Sequence, residues 1–284
     1  MNNEGLVWAL SAFTEFSKGG PIENLSAVLH DDDDAIDLPG VVVTTGDDKI
    51  LEPLAEGLGI RLSTEVTSIK YGEDGVKVVT DQGDFEDDYV VCSLPLGVLK
   101  AGTVAFDPPL PRDYRKNIDK IGFGSVTKIA FKFEQPFWDI ETQYFGIMTE
   151  PKGRWNYWLN YRTFSPENII LGLSVGAYSP LTDQMSDEEM KADAFEVLRD
   201  VWGDAVGEPT KMLTTHWFVD PASFGVYAFP TSGCRPSQYD DLAEPVEDVL
   251  FLCGEHTMFD FAGATHGAYI SGLRATEFII DGES

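Results

Sequence analysis

The amino-acid sequence predicts an α+β fold with more than one sheet, and three observations support this prediction. Short alternating segments at 66–71 and 76–80 flank a Gly-Glu-Asp-Gly turn, which is the pattern of a β-hairpin. A continuous apolar segment at 89–94 is typical of a strand in a sheet that is covered on both faces. Residues 186–203 carry the periodicity of an amphipathic helix.

The helices and strands follow from local signals. Asp47 and Asp48 are predicted to cap a first helix that ends at Gly59; its apolar stripe consists of Ile50, Leu51, Leu54 and Leu58. Alternating residues predict the strands of a second sheet at 125–134, 154–161 and 169–175. Ser186 and Glu189 form a capping box for a helix that stops at Gly203; its apolar face consists of Met190, Ala194, Val197, Leu198 and Val201.

The last quarter of the chain predicts a strand, a short polar turn and a helix. The apolar strand 249–253 stops at Gly254, and the helix lies near 264–280. The unpaired N–H groups at the start of such a helix suit a planar cofactor that becomes anionic on reduction. Gly267, Ser271 and Ala275 fall on one helix face, so this helix can approach its neighbour closely.

Composition sets wider limits. The 284 residues, 43% of them apolar, suffice for one to two domains. Cys92, Cys234 and Cys253 have no disulfide spacing, which favours a reducing compartment. No apolar run has the length of a membrane span, and no signal peptide is found. The net charge of −28 disfavours nucleic acid and suits a cationic partner, although solubility or adaptation to high salt also accounts for it.

Sequence motifs add a family resemblance. The turn Gly-Glu-His-Thr at 254–257, followed by His-Gly-Ala-Tyr-x-Ser-Gly at 266–272, resembles the C-terminal flavin-binding signature of the FAD-dependent amine oxidases. That family includes polyamine oxidases, monoamine oxidases and lysine-specific histone demethylases. Further similar motifs occur in the family's order and extend the resemblance from about residue 5 to 280; they lie at 46–58, 61–69, 90–99, 107–111, 121–129 and 137–139.

The resemblance implies a two-domain FAD fold that is incomplete at the N-terminus, because no G-x-G-x-x-G fingerprint is present. The expected pieces are an α/β flavin-domain remnant and a mixed-sheet substrate domain. In chain order we predict the end of a helical substrate subdomain at 1–45, a flavin-domain segment at 46–100, the substrate-binding domain at 101–245, and the C-terminal flavin-binding strand and helix at 246–284.

Lys128 is the predicted catalytic residue. Alternation places it on one strand face with Ala130 and Lys132, opposite an apolar face. By pattern alone both lysines are solvated charges. The resemblance sets Lys128 apart, because it matches the lysine that reaches the flavin N5 through a water in family members. Lys132 keeps the solvated interpretation, and no metal-binding cluster is predicted.

The resemblance also suggests substrate contacts. Trp158, Trp217 and Tyr227 are candidate aromatic walls, with ordinary core packing as the open alternative. Ala264 stands where many oxidases have a second tyrosine; histone demethylases likewise have a small residue there, which opens the pocket to a bulkier substrate. The acidic run Asp31–Asp34 is either a solvated loop or a docking rim for a cationic substrate.

The FAD contacts are carried over from the same motifs. Val66 is assigned to the adenine, Ser93 and Leu94 to the space under the cofactor, and Gly254 and Glu255 to the ribityl and pyrophosphate side; Ala264 and Thr265 would offer backbone N–H groups to the flavin ring. Glu255 beside a pyrophosphate requires hydrogen-bond donors to offset the repulsion. His256 and His266 are either structural or catalytic, and neither is assigned as a base.

The predicted function is FAD-dependent oxidation of a polyamine or N-methyl-lysine type amine with O2, giving an imine and H2O2. The alternative is a non-catalytic fragment, or one chain of a split enzyme whose partner chain supplies the dinucleotide-binding unit. Another flavin enzyme on this fold, such as a desaturase-like oxidase, is disfavoured because Lys128 occurs together with the Gly-Glu-His-Thr turn. The predicted location is intracellular, either cytoplasmic or nuclear.

Overall fold

A computed structural model describes residues 3–29, 43 and 46–282. The predicted Asp31–Asp34 rim lies outside these residues. The helices of the described part are α1 (Asn3–Ala9), α2 (Phe16–Lys18), α3 (Asp48–Ala55), α4 (Leu96–Ala101), α5 (Arg112–Lys120), α6 (Ser179–Asp183), α7 (Asp187–Trp202), α8 (Ser237–Asp240) and α9 (Thr265–Gly282). A π-helical segment, Leu10–Glu15, joins α1 to α2.

Strands in the same part of the chain form four sheets. They are β1 (Val66–Gly72), β2 (Gly75–Thr80), β3 (Gly83–Asp87), β4 (Val90–Cys92), β5 (Ala105–Asp107), β6 (Gly122–Phe123), β7 (Thr127–Lys132), β8 (Tyr144–Gly146), β9 (Tyr157–Asn160), β10 (Ile169–Ser174), β11 (Lys211–Thr214), β12 (Ala228–Phe229) and β13 (Leu250–Leu252). The sheet orders are β3-β2-β1-β5, β11-β7-β10-β9-β8, β12-β6 and β13-β4. The predicted α+β class is confirmed.

The predicted hairpin forms the centre of the four-stranded sheet. Strands β1 and β2 are antiparallel, and Gly72 lies opposite Gly75 across the turn. β3 extends the sheet on one side, where the sequence analysis predicted no strand. β5 pairs in parallel with β1 on the other side. This pairing crosses the predicted boundary between 100 and 101, so the two predicted ranges share one sheet.

The strand–turn–helix of the last quarter is present as predicted. β13 runs parallel to β4, and the N–H of Gly254 donates to Ser271 Oγ of α9 over 2.8 Å. Gly267, Ser271 and Ala275 are all buried, which allows the close approach that their spacing predicted. Val91 of β4 is nevertheless exposed, so the prediction of a strand covered on both faces is wrong for this residue.

The five-stranded sheet packs against α7. Ile129, Phe131 and Phe133 lie on the inner face of β7, as the alternation predicted. The capping box of Ser186 and Glu189 is present. The predicted apolar face of α7 is buried except for its last residue, Val201, which is exposed beyond the edge of the core.

The first predicted helix differs most from expectation. Asp47 stands at the N-cap of α3 but its side chain makes no capping hydrogen bond. All members of the apolar stripe are exposed, with exposed fractions of 54% for Ile50, 56% for Leu51, 51% for Leu54 and 65% for Leu58. The stripe therefore forms an apolar surface on this chain rather than part of a core.

The three cysteines, Cys92, Cys234 and Cys253, are buried and form no disulfide. Burial raises the pKa of Cys92 to about 11, which keeps it a thiol at neutral pH. Among the described residues, no helix combines the length and the apolar character needed to cross a membrane.

Candidate active site

Three of the predicted site residues line one cavity. Lys128, Trp217 and Tyr227 enclose a space of about 350 Å³. They come from β7, from the loop after β11 and from the segment before β12, which are far apart along the chain. The remaining lining residues are Phe16, Pro95, Phe123, Val126, Ser223, Gly225 and Val226. The walls are mainly apolar, as expected of a site that binds an organic molecule.

Lys128 is the positively charged residue that lines this cavity. Its backbone is held by Thr215, because the Lys128 N–H donates to Thr215 Oγ1 (2.9 Å) and its carbonyl accepts the Thr215 N–H (3.0 Å). On the same strand face, Lys132 forms an ion pair with Glu167. Lys132 thus has the surface role that the pattern predicted. Lys128 is exposed as well, but it lines the cavity.

Trp217 is half-exposed and is oriented mainly through its backbone. Its carbonyl accepts the N–H of Gly225 (2.8 Å) and the hydroxyl of Ser223 (2.7 Å). These bonds fold the loop back on itself, so the indole faces the cavity beside Gly225 and Val226.

Tyr227 forms a rigid wall. Its hydroxyl donates to the carbonyl of Phe16, which also lines the cavity. Its ring packs on Gly19, where a Cβ atom would stand 2.7 Å from Tyr227 Cε2. Gly19 also has φ of +72°, a conformation that favours glycine. Burial raises the pKa of Tyr227, so the phenol stays protonated at neutral pH.

Trp158 does not belong to the cavity. It is fully buried on β9, where its ring lies against Gly172 of β10 and its Nε1–H donates to the Trp155 carbonyl (2.7 Å). The predicted substrate role is therefore corrected in favour of core packing. The glycine on the neighbouring strand leaves the space that the indole fills.

Glu255 has the hydrogen-bond donors that its position requires. Its carboxylate accepts the Ala228 N–H at 3.2 Å from each oxygen and the Gly263 N–H at 2.7 Å. Burial raises the pKa of Glu255 to about 7, although these two amides oppose the shift. The side chain thus ties the start of β12 to the turn before α9.

The beginning of α9 lies beside Tyr227. A Cβ atom on Gly263 would be 3.5 Å from Tyr227 Cδ2, and Ala264 and Thr265 follow directly. The first intrahelical hydrogen bond is from Ala268 N–H to the Ala264 carbonyl (3.2 Å). Within the described residues, the N–H groups of the intervening first turn have no such acceptor, as at any helix start.

The other predicted cofactor residues lie at the ends of β1, β4 and β13. Ser93 is exposed and Leu94 half-buried directly after β4, next to Pro95 of the cavity. Val66 is half-buried at the start of β1, and Gly254 follows β13.

A flavin fits this end of the fold. None of Ala264, Thr265, Ser93 and Leu94 lines the cavity, but the open N–H groups of the first turn of α9 come shortly after Gly263, which lies against the Tyr227 wall. His266 Nε2 is buried without a hydrogen-bond partner among the described residues. Thr265, Ser93 and Leu94 would hold the ring system. The predicted N–H contact from Ala264 is corrected, because this N–H donates to the Phe261 carbonyl (3.2 Å). The sequence contains no Gly-rich fingerprint for the pyrophosphate.

His256 of the signature turn is buried and does not line the cavity, and His266 is half-buried in α9. Burial lowers the pKa of His256 to about 4, so this ring is neutral at physiological pH. Arg274 donates to the Thr257 carbonyl (3.0 Å) and to Thr257 Oγ1 (2.8 Å), which anchors the same turn on α9. We therefore assign His256 a structural role.

Sequence reasoning did not select several cavity residues. Phe16 lies at the junction of the π-helical segment and α2, and no local pattern marks it. Pro95 could have been found, since it is part of the motif at 90–99. The others that were not selected are Phe123, Val126, Ser223, Gly225 and Val226.

An apolar cavity lined by a lysine, near a strand–turn–helix with open N–H groups, is an arrangement that can bind a planar organic cofactor. The model of a protein family described as flavin containing amine oxidoreductase matches residues 2–280. The chain belongs to this family. Its family cofactor is a flavin, in agreement with the FAD predicted from the motifs.

Similar proteins include lysine-specific histone demethylases. Lysine-specific histone demethylase 1 homolog 2 of Arabidopsis thaliana is 34% identical over 281 residues, covering 96% of this chain and 38% of that protein. A possible lysine-specific histone demethylase 1 of Drosophila melanogaster is 33% identical over 297 residues, covering 94% of this chain and 33% of that protein. The chain therefore spans little more than a third of the length of these relatives.

Among solved structures, the fold is similar to that of a putrescine oxidase with bound putrescine. The TM-score is 0.69 and the sequence identity 22%, and the match covers 83% of this chain and 53% of that chain. This likeness supports the predicted fold.

Proposed function

We propose that this chain carries the amine-binding half of an FAD-dependent amine oxidase. The observation that supports the proposal most is the convergence of Lys128, Trp217 and Tyr227 on one cavity of about 350 Å³. Each of these residues matches a family position with a role at the flavin or the substrate. Their placement on separate elements makes a coincidental grouping improbable.

The proposed substrate is a primary or secondary amine that is a cation in solution. A surface with net charge −28 attracts such cations. Inside the cavity, the aromatic walls disfavour the charged form, so the amine loses its proton before reaction. The positive charge of Lys128 also disfavours the protonated form of the amine, because like charges repel. Trp217 and Tyr227 then hold the α-carbon in place and exclude water.

When bound, FAD supplies the acceptor for the hydride of the amine α-carbon and passes the electron pair to O2, giving H2O2. The amine leaves as an imine, which water hydrolyses. Lys128, which is exposed and lines the cavity, would stabilise the negative charge that develops as O2 is reduced.

Two substrate classes are compatible with this site. The relatives with 33–34% identity are named histone demethylases, which supports an N-methyl-lysine side chain. Ala264 supports the same choice, since a small residue leaves room for a bulky substrate. A polyamine is the other class, because it is also a cation in solution and has an apolar carbon chain.

The second candidate is a chain that needs a partner supplying the dinucleotide-binding unit. The exposed apolar stripe of α3 favours it, as do exposed apolar residues on α9, namely Leu273, Phe278 and Ile280. Under this proposal the isolated chain does not retain FAD. An intracellular location, cytoplasmic or nuclear, belongs to both candidates and is supported by the three free buried thiols.

The visible absorbance spectrum of the purified full chain, with and without added FAD, tests the proposal. An oxidised-flavin spectrum that bleaches anaerobically with spermine or with an N-methyl-lysine peptide is the expected result, and the effective amine identifies the substrate class. A protein that takes up FAD but is bleached by neither amine would refute amine oxidation. A colourless protein that takes up no FAD would favour the second candidate.

A further inference from the structure

A buried carboxylate behind the cavity wall is not used in the proposed reaction. Asp183, the last residue of α6, is 1% exposed. Its Oδ2 accepts the Phe218 N–H over 2.5 Å, and the Thr127 hydroxyl donates to its Oδ1. The Asp183 carbonyl oxygen lies 2.9 Å from His216 Nδ1. Burial raises the pKa of this carboxyl, while the bonds from Thr127 and Phe218 oppose the shift.

Asp183 forms hydrogen bonds with the residues on both sides of Trp217. His216 and Phe218 are its two chain neighbours, and both are bonded to the same residue of α6. The indole itself is 46% exposed. Packing therefore leaves much of the ring free, and the fixed backbone on either side determines where it points.

The same carboxylate also holds the strand that carries Lys128. Thr127 points inward to Asp183, while the next side chain, Lys128, points to the cavity. Thr127 Oγ1 lies 2.8 Å from Ser179 Oγ, so the contact is part of a larger buried hydrogen-bond network. A single side chain thus bonds to a chain neighbour of each of two cavity residues, to Thr127 next to Lys128 and to Phe218 next to Trp217.

We propose that Asp183 is a positioning residue that sets the distance between Trp217 and Lys128 across the cavity. Without its carboxylate, the Phe218 N–H loses its acceptor, and an unpaired donor away from water is unfavourable. The Thr127 hydroxyl can still donate to the Ser179 carbonyl (3.1 Å). The loop then moves to hydrate the freed N–H, and Trp217 moves with it. The catalytic meaning of this role rests on the proposed function, but the position of Trp217 can be measured without cofactor or substrate.

The experiment uses the full chain labelled with 5-fluorotryptophan. Of its six tryptophans, Trp217 is identified by the ¹⁹F resonance that disappears in Trp217→Phe. Its solvent exposure is read from the line broadening caused by a soluble gadolinium chelate. The buried Trp155 and Trp158 serve as internal references, since both are fully buried.

We expect Asp183→Ala to shift the Trp217 resonance and to increase its broadening, while the reference resonances stay in place. Asp183→Asn should restore the wild-type resonance, because the amide oxygen can accept the Phe218 N–H and the amide NH2 can donate to Thr127 Oγ1. An unchanged Trp217 resonance in Asp183→Ala would overturn the proposal.

Thr182→Val is the matched control. Thr182 is fully buried in the same helix, and its hydroxyl donates to the Ser179 carbonyl (2.8 Å) rather than to the Trp217 loop. It should lower stability without moving the Trp217 resonance. An equal shift in this variant would reduce the role of Asp183 to general stability and overturn the proposal.

A second measurement needs no variant and covers the case in which Asp183→Ala does not fold. The Phe218 amide of the wild-type chain should be protected from hydrogen exchange, because it is bonded to a buried carboxylate. Exchange at the rate of an open loop would contradict the proposal.

The effect of Asp183 on catalysis can be tested separately from its effect on the position of Trp217. If the chain takes up FAD and oxidises an amine, Asp183→Ala should lower kcat on the order of 10²-fold, since a small misplacement of a positioning group has effects of that size. If it takes up no FAD, the proposed function fails, and the ¹⁹F result still decides the role of Asp183.

Discussion

The hydroxyl of Tyr227 donates a hydrogen bond to the backbone carbonyl of Phe16. The two residues are 211 positions apart in the chain, and both line the candidate active site. This bond attaches the cavity wall to the junction of the π-helical segment and α2. The N-terminal helix is therefore part of the site, although no sequence motif in it indicated this.

Tyr227→Phe should keep the cavity wall and lose this bond. The Phe16 carbonyl then lacks its donor, so we expect the free energy of unfolding to fall by about 1–2 kcal/mol. Urea unfolding measures the change. Tyr144→Phe is the control, because Tyr144 is exposed and should change stability little. Equal effects of the two substitutions would contradict the assigned role of the bond.

Lys128→Met should slow the oxidation of the loaded enzyme by O2, on the order of 10-fold, because it removes the cation that lines the cavity, whose exposure lets solvent screen part of its charge. Stopped-flow absorbance of the flavin measures this step. Lys132→Met is the matched control on the same strand face; its ion pair with Glu167 is a surface pair, worth roughly 0–1 kcal/mol of stability. Similar slowing in both variants would argue against a role for Lys128 at the site.

Glu255 should make stability depend on pH. Its pKa is raised from 4.5 to about 7 in the folded chain, so the folded state holds the proton more tightly than the unfolded state. The contribution of Glu255 is fully present below about pH 4.5 and is lost as the pH rises through about 7. Relative to Glu255→Gln, the wild-type free energy of unfolding should fall across this window and stay constant above it.

The difference between wild type and variant is the quantity to measure, by urea unfolding at several pH values. His256 acts in the opposite direction, because its pKa is lowered from 6.5 to about 4 and its contribution is lost as the pH falls through that range. Subtracting the Glu255→Gln curve removes the His256 effect. A difference that does not change between pH 4.5 and 7 would show that the Glu255 pKa is not raised.

Gly19→Ala should lower the free energy of unfolding by more than the backbone strain at this position accounts for. Alanine at φ of +72° costs about 1 kcal/mol, and its Cβ would also stand 2.7 Å from the Tyr227 ring. Gly102→Ala is the matched control, with φ of +64° and no atom within 4 Å of the added Cβ. Thermal or urea unfolding of both variants isolates the contact with Tyr227, and equal losses would mean that the ring moves aside without cost.

Replacing Leu51 and Leu54 with Gln should leave stability nearly unchanged, within roughly 0.5 kcal/mol, because both side chains are exposed. The same change should reduce self-association, measured by sedimentation or light scattering. Leu250→Ala provides the contrast: Leu250 is fully buried, and the substitution should cost roughly 2–5 kcal/mol. A large loss of stability in the Gln variant would indicate that the α3 stripe is covered in the folded chain.

Local periodicity was sufficient for much of the fold. The hairpin of β1 and β2, the capping box of α7 and the inner face of β7 were predicted from spacing alone. These features depend on how a side chain points from its own backbone, and the sequence pattern reports that direction directly. β3 was not predicted, because its mostly charged segment acquires strand structure by pairing with β2.

Aromatic residues show where the sequence is not sufficient. Trp158 and Trp217 were predicted to share one role, yet the first fills a space over Gly172 and the second faces the cavity. Their difference depends on which strand or loop lies opposite each ring. Local spacing contains no information about that neighbour.

The motifs at 90–99, 121–129, 254–257 and 266–272 were enough to indicate the family and, through the resemblance, to select Lys128, because they are short contiguous segments. The cavity itself required the folded chain. Its walls are held by hydrogen bonds between distant segments, from Tyr227 to Phe16 and from Phe218 to Asp183, and such bonds are decided by how helices and sheets pack rather than by any one segment. The exposed stripe of α3 is a further case: its amphipathic pattern predicts an apolar face, but only packing determines whether that face is covered.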